Sequence, residues 1–179
     1  MDHDDTLLND AAALQAALGP LGDALRAHDW RLATAESCTG GLIAALCTSV
    51  AGSSDWFDRG FVTYSNAAKT EQLGVPAALI EAHGAVSQPV AEAMALGALA
   101  HSEAQLALAV TGIAGPGGAV PGKPVGTVWL AWALRLPEGT PEAHSRLLNL
   151  PGGRTAVRSA TVAAALQVAQ QLLQAPPSA

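Results

Sequence analysis

At 179 residues, half of them hydrophobic, the chain has enough apolar side chain for one substantial core, and residues 1–179 are expected to form a single domain. Charged residues make up 13% and aromatic residues 4%, which excludes a disordered chain and suits an aliphatic interior of helices packed on a sheet. A formal net charge of -6 and a pI near 5.2 leave no basic footprint for nucleic acid, though a local positive pocket for one phosphate remains compatible.

Cys38 and Cys47 have no Cys-x-x-Cys partner and no histidine at zinc-ligand spacing, so they read as reduced thiols of a cytoplasmic protein with no metal. No run of about 18 apolar residues is present, and Met1-Asp2-His3-Asp4-Asp5 is acidic where a signal peptide is basic. Neither membrane spanning nor secretion is expected.

In chain order, residues 1–9 are expected to be disordered. Leu14, Leu18, Leu21 and Leu25 then recur at helical spacing within residues 10–28, giving one amphipathic helix or a pair broken at Gly19-Pro20. Residues 31–35 read as a short strand and 40–50 as an Ala/Leu-rich helix, which makes 36–39 the turn between them. Residues 56–64 suit a strand, and Ser65-Asn66 caps a short helix running to Leu73 with Lys69 one turn inside. Helices follow at 77–83 and 89–102, the second with Ser87 as its cap.

Residues 106–110 form a buried strand that runs into Thr111-Gly112-Ile113-Ala114-Gly115-Pro116-Gly117-Gly118, a loop too rich in glycine for regular structure. Residues 125–134 and 145–150 read as paired strands, and 155–173 as a long helix entered through Gly152-Gly153-Arg154. The tail 176–179 is expected to fray. This alternation predicts an α/β fold, a three-layer α/β/α sandwich with a mostly parallel, mixed central sheet.

Ser37 stands at the carboxyl end of a predicted strand, just before a helix, where Gly40 and Gly41 let a ligand approach the backbone. Three readings are open: Ser37 is a nucleophile whose oxyanion is held by nearby amides, Ser37 and Thr39 bind a phosphate, or one of them caps the helix. No histidine neighbours a motif loop, which disfavours a serine–histidine–acid triad. Tyr64 and Lys69 lie where they can face the same sheet edge, and a desolvated lysine can accept a serine proton. The loop offers Thr111, Gly112, Gly115 and Gly117 as contacts for a phosphate or ribose. Gly117 to Lys123 matches the start of Gly-x-x-x-x-Gly-Lys-Ser/Thr, but Pro124 lacks the hydroxyl and a strand follows, so a Walker site is rejected. Arg154, and Arg158 one turn on, could bind phosphate at the entrance to the last helix.

The order of these motifs is more specific than any one of them. Thr34-Ala35-Glu36-Ser37-Cys38-Thr39-Gly40-Gly41, Ala51-Gly52-Ser53-Ser54-Asp55-Trp56-Phe57, Gly60-Phe61-Val62-Thr63-Tyr64-Ser65-Asn66-Ala67-Ala68-Lys69, Gly84-Ala85-Val86-Ser87, the 111–118 loop and Pro121-Gly122-Lys123-Pro124-Val125-Gly126-Thr127-Val128 together resemble the CinA C-terminal domain family. The resemblance implies nicotinamide-nucleotide amidohydrolase activity, which converts nicotinamide mononucleotide to nicotinate mononucleotide and ammonia without a cofactor. It also implies Ser37 as nucleophile, Tyr64 and Lys69 as its activators, and Ser54, Thr111 and Arg154 as positioning groups. Gly152-Gly153-Arg154 departs from the Gly-Asp-Arg expected there. The alternatives are a nucleotide-sensing domain without turnover, linked to competence or DNA damage, and an amidase for another small carboxamide. A homodimer is expected through an Ala/Leu-rich surface on the terminal helices.

Overall fold

The computed structural model describes residues 5–136 and 140–174, with side chains from Leu14 onward. Five strands form one sheet in the order β2-β1-β3-β4-β5: β1 Leu32–Glu36, β2 Phe57–Val62, β3 Leu106–Gly112, β4 Thr127–Leu134 and β5 Glu142–Asn149. β1 pairs in parallel with both β2 and β3, while β3–β4 and β4–β5 are antiparallel, so β4 alone runs against the others. Helices cover both faces, as a three-layer sandwich requires.

The two faces are built from different residues because side chains alternate along a strand. Leu106, Leu108 and Val110 of β3 and Leu130 and Leu134 of β4 meet α1 (Asp5–Ala27), α2 (Leu42–Thr48) and α6 (Arg154–Gln174). The alternate positions, Ala33, Ala35, Ala107, Ala109, Ala131 and Ala133, meet α5 (Gln88–Ala100), with α3 (Asn66–Leu73) and α4 (Ala77–His83) beside it. Small residues on this face let α5 lie close to the sheet. Gly97 continues the close packing between helices, since a Cβ there would collide with the Leu73 carbonyl. On the leucine face, each fully buried aliphatic side chain contributes about 1.5–3 kcal/mol.

β1 is buried throughout, the signature of a central parallel strand covered on both sides. The chain crosses from β1 to β2 through α2 on one face and returns from β2, past β1, to β3 through α3, α4 and α5 on the other. Opposite directions on opposite faces give the two crossovers the same hand, as the crossover rule for parallel strands requires.

Several local expectations change. Pro20 sits inside one continuous helix, so Gly19-Pro20 does not divide α1 into a pair. α1 begins at Asp5, which places residues 5–9 in helix instead of a disordered start, while 1–4 and the tail 175–179 lie outside the described residues. Ser87 precedes α5 but gives it no side-chain cap; its hydroxyl donates to the Gly84 carbonyl at 2.7 Å. The apolar face of the terminal helices is used within the chain: Leu18, Leu21 and Leu25 of α1 and Val162, Leu166 and Leu173 of α6 are buried together. From Leu14 onward, this takes the large apolar side chains of these helices out of the surface on which a dimer was expected. Among the described residues, the exposed large apolar side chains are Leu42, Val62, Tyr64, Leu96, Val120 and Leu147.

Candidate active site

Because β4 alone is reversed, one edge of the sheet collects the carboxyl ends of β1, β2, β3 and β5. The Ser37 turn, the Thr63-Tyr64-Ser65 segment, the 111–118 loop and the Arg154 entry to α6 therefore converge, although they are far apart in sequence. β1 and β3 leave this edge in opposite directions, the arrangement in which open α/β sheets bind ligands.

Ser37 directly follows β1, and its N–H donates to the Val110 carbonyl at 3.0 Å, extending the pairing with β3 by one step. On the other side, Ser65 starts α3 by accepting the Ala68 N–H at 3.0 Å. One helical turn brings Lys69 back toward the sheet. Its Nζ lies 3.2 Å from Ser37 Oγ and donates to the Thr63 carbonyl at 2.9 Å. Lys69 is 1% exposed and Ser37 9%.

Burial pulls the proton affinity of Lys69 below the ordinary lysine value of 10.5, with nearby Cys38 opposing this weakly. Loss of hydration disfavours the ammonium and shifts the balance toward the amine, the form whose lone pair a general base needs. Cys38 offers no competing nucleophile: burial pushes its thiol up to about 11, and that of Cys47 to about 12. Both are free and buried, and at neutral pH they remain thiols.

The most densely bonded group at this edge is Glu36, which is fully buried. Its Oε2 accepts the Thr39 hydroxyl at 2.7 Å and the N–H groups of Gly41 and Ile43 at 3.0 and 3.1 Å. Oε1 accepts the Ala44 N–H at 2.9 Å and the Thr34 hydroxyl at 3.3 Å. The turn reaches this arrangement through Gly40 and Gly41, with φ of 61° and 94°, values that a side chain disfavours. The amides at the start of α2 are thus bonded to an internal carboxylate. They are not open to a substrate phosphate, which the carboxylate would also repel.

Thr39 is consequently committed at both ends, through its hydroxyl to Glu36 and through its carbonyl to Arg158 Nη2 at 2.8 Å. It is buried and holds the turn; the expectation that its hydroxyl binds substrate does not fit this geometry. Among the described residues, the N–H groups of Cys38 and Thr39 make no hydrogen bond, and the fully buried Thr63 hydroxyl has no partner. Sequence reasoning passed over Glu36 because its spacing to α2 is not that of a capping box. Its position between a strand and Gly-Gly was the available signal.

The remaining expected residues divide. Tyr64 is 61% exposed, and its hydroxyl accepts from Arg154 Nη2 at 3.2 Å, with no bond to Ser37 or Lys69. Arg154 Nη1 donates to the Gly115 carbonyl at 3.1 Å, so the guanidinium ties the β2–α3 segment to the loop. Thr111 is buried and donates to the Ala85 carbonyl at 2.9 Å, which leaves it a structural bond and not a free contact. Gly112 serves packing, since a Cβ there would lie 2.6 Å from Val128 Cγ2. Gly117 is exposed and unobstructed. Residues 120 and 123 form a small bridge followed by β4, which agrees with rejection of a Walker helix.

Ser54 is not brought to this edge. It lies in a single 3-10 turn before β2, and the register aligns Phe57 with Leu32 and Val62 with Glu36. The length of β2, roughly 17 Å at about 3.3 Å per residue, separates it from the Ser37 turn. No histidine competes for the base role among those with defined contacts: His28 bonds to the Leu173 carbonyl, His101 to the Gly97 carbonyl, and His144 stacks on Trp132.

A family model described as the CinA C-terminal domain matches residues 15–173. The chain belongs to the CinA C-terminal domain family. This CinA domain is 55% identical over 152 residues to the nicotinamide-nucleotide amidohydrolase PncC of Pseudomonas putida, covering 85% of the chain and 92% of that relative. It is 52% identical over 143 residues to a CinA-like protein of Mycolicibacterium paratuberculosis (strain ATCC BAA-968 / K-10), covering 80% of the chain but only 33% of that longer protein. Among solved structures, the competence/damage inducible protein CihA of Agrobacterium tumefaciens superposes on the CinA domain with a TM-score of 0.82 at 45% identity, covering 90% of this chain and 95% of that one.

Proposed function

We propose that this CinA domain is a nicotinamide-nucleotide amidohydrolase: it hydrolyses the carboxamide of nicotinamide mononucleotide, yielding nicotinate mononucleotide and ammonia for pyridine nucleotide salvage. The observation that carries the chemistry is the 3.2 Å approach of Ser37 Oγ to a buried Lys69 amine. The substrate is supported by the names and high identity of the amidohydrolase relatives.

In this reading, neutral Lys69 accepts the Ser37 proton as Oγ attacks the carboxamide carbon. The unpaired N–H of Cys38, adjacent to the nucleophile, is the donor for the developing oxyanion. Lys69 returns the proton to the departing nitrogen, ammonia leaves, and an acyl ester remains on Ser37. Water then attacks the ester, giving its proton to Lys69, which restores the Ser37 hydroxyl as the carboxylate departs. The cationic pyridinium draws electrons from the carbonyl throughout. Arg154 is the phosphate anchor, the 115–117 glycines bound the same cleft, and Tyr64 acts by orienting Arg154.

No described helix is long and apolar enough to cross a membrane. Cytoplasmic residence is our reading of the two free buried thiols, which suit a reducing compartment. The homodimer stays in the proposal with a changed location, the exposed Leu42, Val62 and Tyr64 at the β2 end, and sedimentation velocity tests it.

Ammonia release with nicotinamide mononucleotide, nicotinamide and NAD tests the function. The expected result is release from the mononucleotide, lost in Ser37→Ala while binding and folding persist. Binding without release from any of the three overturns the enzyme reading in favour of a sensor. Preference for nicotinamide overturns the substrate, and near-normal turnover by Ser37→Ala overturns the nucleophile.

A further inference from the structure

We infer that Glu36 is a positioning residue for the hydrolysis, acting through Thr39 to hold the Ser37–Gly41 turn in the arrangement that leaves the Cys38 amide unpaired beside the nucleophile. This rests on the amidohydrolase reading above. The observation behind it is an imbalance of bonding within the turn. Glu36 accepts five hydrogen bonds, three from the backbone of Gly41, Ile43 and Ala44 and two from the hydroxyls of Thr34 and Thr39. Every N–H from Gly40 to Ala44 whose bond is defined outside regular structure is satisfied internally: Gly40 by the Ser37 carbonyl, Gly41, Ile43 and Ala44 by Glu36, and Leu42 by the Thr39 carbonyl. Within the turn, the N–H groups of Cys38 and Thr39 are unpaired, and of these two residues Thr39 is fully buried while Cys38 keeps some exposure.

A buried carboxylate is expensive unless several donors surround it. A cap for α2 needs much less, because a serine or asparagine side chain satisfies one amide without burying a charge. What Glu36 supplies beyond capping is a rigid link between the strand that carries Ser37 and the residue that follows Cys38. Thr39 is gripped by its hydroxyl from Glu36 and by its carbonyl from Arg158, which fixes the 39–40 peptide plane, and the Gly40 N–H of that plane donates to the Ser37 carbonyl at 3.0 Å, which fixes the 37–38 plane carrying the Cys38 N–H. Loss of the Thr39 hydroxyl frees one end of that grip and lets the Cys38 amide turn away from the oxyanion.

The test compares Thr39→Val, Thr39→Ser, Glu36→Gln and Ser37→Ala by steady-state ammonia release from nicotinamide mononucleotide, with binding and thermal unfolding measured on each. Thr39→Val keeps the shape and removes the donor. Its kcat is expected to fall about 100-fold, the scale of losing one oxyanion donor, with KM and substrate affinity changed less than about threefold, as removal of a transition-state interaction requires. Thr39→Ser restores the donor and recovers kcat. Glu36→Gln places an amide nitrogen against at least one backbone N–H and is expected to show the same kcat-selective loss. Should Glu36→Gln fail to fold, the Thr39 pair decides alone. A folded Thr39→Val with kcat within threefold of the wild type, while Ser37→Ala is inactive, overturns the positioning role and leaves the amidohydrolase reading standing. Turnover by Ser37→Ala overturns the reading on which it rests.

Discussion

Replacing Lys69 by methionine separates the chemical from the structural role of this side chain, because the two respond to pH in opposite ways. Methionine fills similar space, so the substitution removes the amine and its bond to the Thr63 carbonyl without opening a large cavity. Leaving that carbonyl unpaired costs about 1–3 kcal/mol. Against this stands relief of the desolvation that holds the Lys69 proton affinity down. Its folded pKa lies below the unfolded value of about 10.4, so between the two the unfolded chain binds more protons and stability rises with pH. Below the folded pKa the penalty is complete, and above the unfolded value it vanishes; each tenfold change in affinity is worth about 1.4 kcal/mol. Lys69→Met therefore gains stability relative to wild type as pH falls from 10 toward 7. Turnover moves the other way, with loss of the base lowering kcat/KM by about 10²–10⁴-fold. The acid limb of the wild-type pH profile, set below the ordinary lysine range, disappears from the residual rate. Denaturant midpoints and ammonia release across pH 6–10 measure both. A variant within tenfold of wild-type activity, or one that retains the acid limb, refutes Lys69 as the base.

Arg154→Ala is expected to raise KM by about 10- to 100-fold, the worth of a charge-assisted hydrogen bond, with kcat little changed. Tyr64→Phe removes only the bond to Arg154, so adding it to Arg154→Ala has no further effect in a double-mutant cycle; a large fall in kcat for Tyr64→Phe alone would restore tyrosine as the base. Cys38 and Cys47, buried with thiols pushed up to about 11 and 12, are expected to resist a chromogenic disulfide reagent at pH 7 until denaturant is added. Rapid labelling of either in the native protein contradicts that burial. Gly97→Ala drives a Cβ into the Leu73 carbonyl and is expected to destabilise by about 1–3 kcal/mol, read as a lower denaturant midpoint. Because Leu73 ends the helix that carries Lys69, kcat should fall with it.

The sheet, its helices and the meeting of Ser37 with Lys69 were legible because each rests on a local pattern with one spatial solution. The Leu-Ala alternation of β3 fixes which side chains face each layer, and Ser65 fixes where α3 starts and hence where Lys69 falls. Tyr64 was read as an activator on the same logic, but its backbone has already left β2, and its side chain stands 61% exposed against Arg154. Position at a strand end places a residue at the right edge without saying which way it turns. Ser54 fails for a different reason: motif order along the chain carries no information about which end of a strand a residue occupies, and the β1–β2 register puts it at the far end.

Glu36 exposes the deeper limit. A sequence shows an acid beside a serine and two glycines, and the familiar inference is that open helix amides await an anion. Here the acid reaches forward and takes those amides itself, which only the folded turn with Gly40 and Gly41 at positive φ permits. The consequence reaches the substrate. With the α2 amides bonded to a carboxylate, a phosphate has no electrostatic reason to settle there, and the exposed guanidinium of Arg154 is the anchor we propose instead. On that proposal the phosphate end of the ligand is separated from the carbonyl end, which leaves the reacting carboxamide to Ser37 and Lys69.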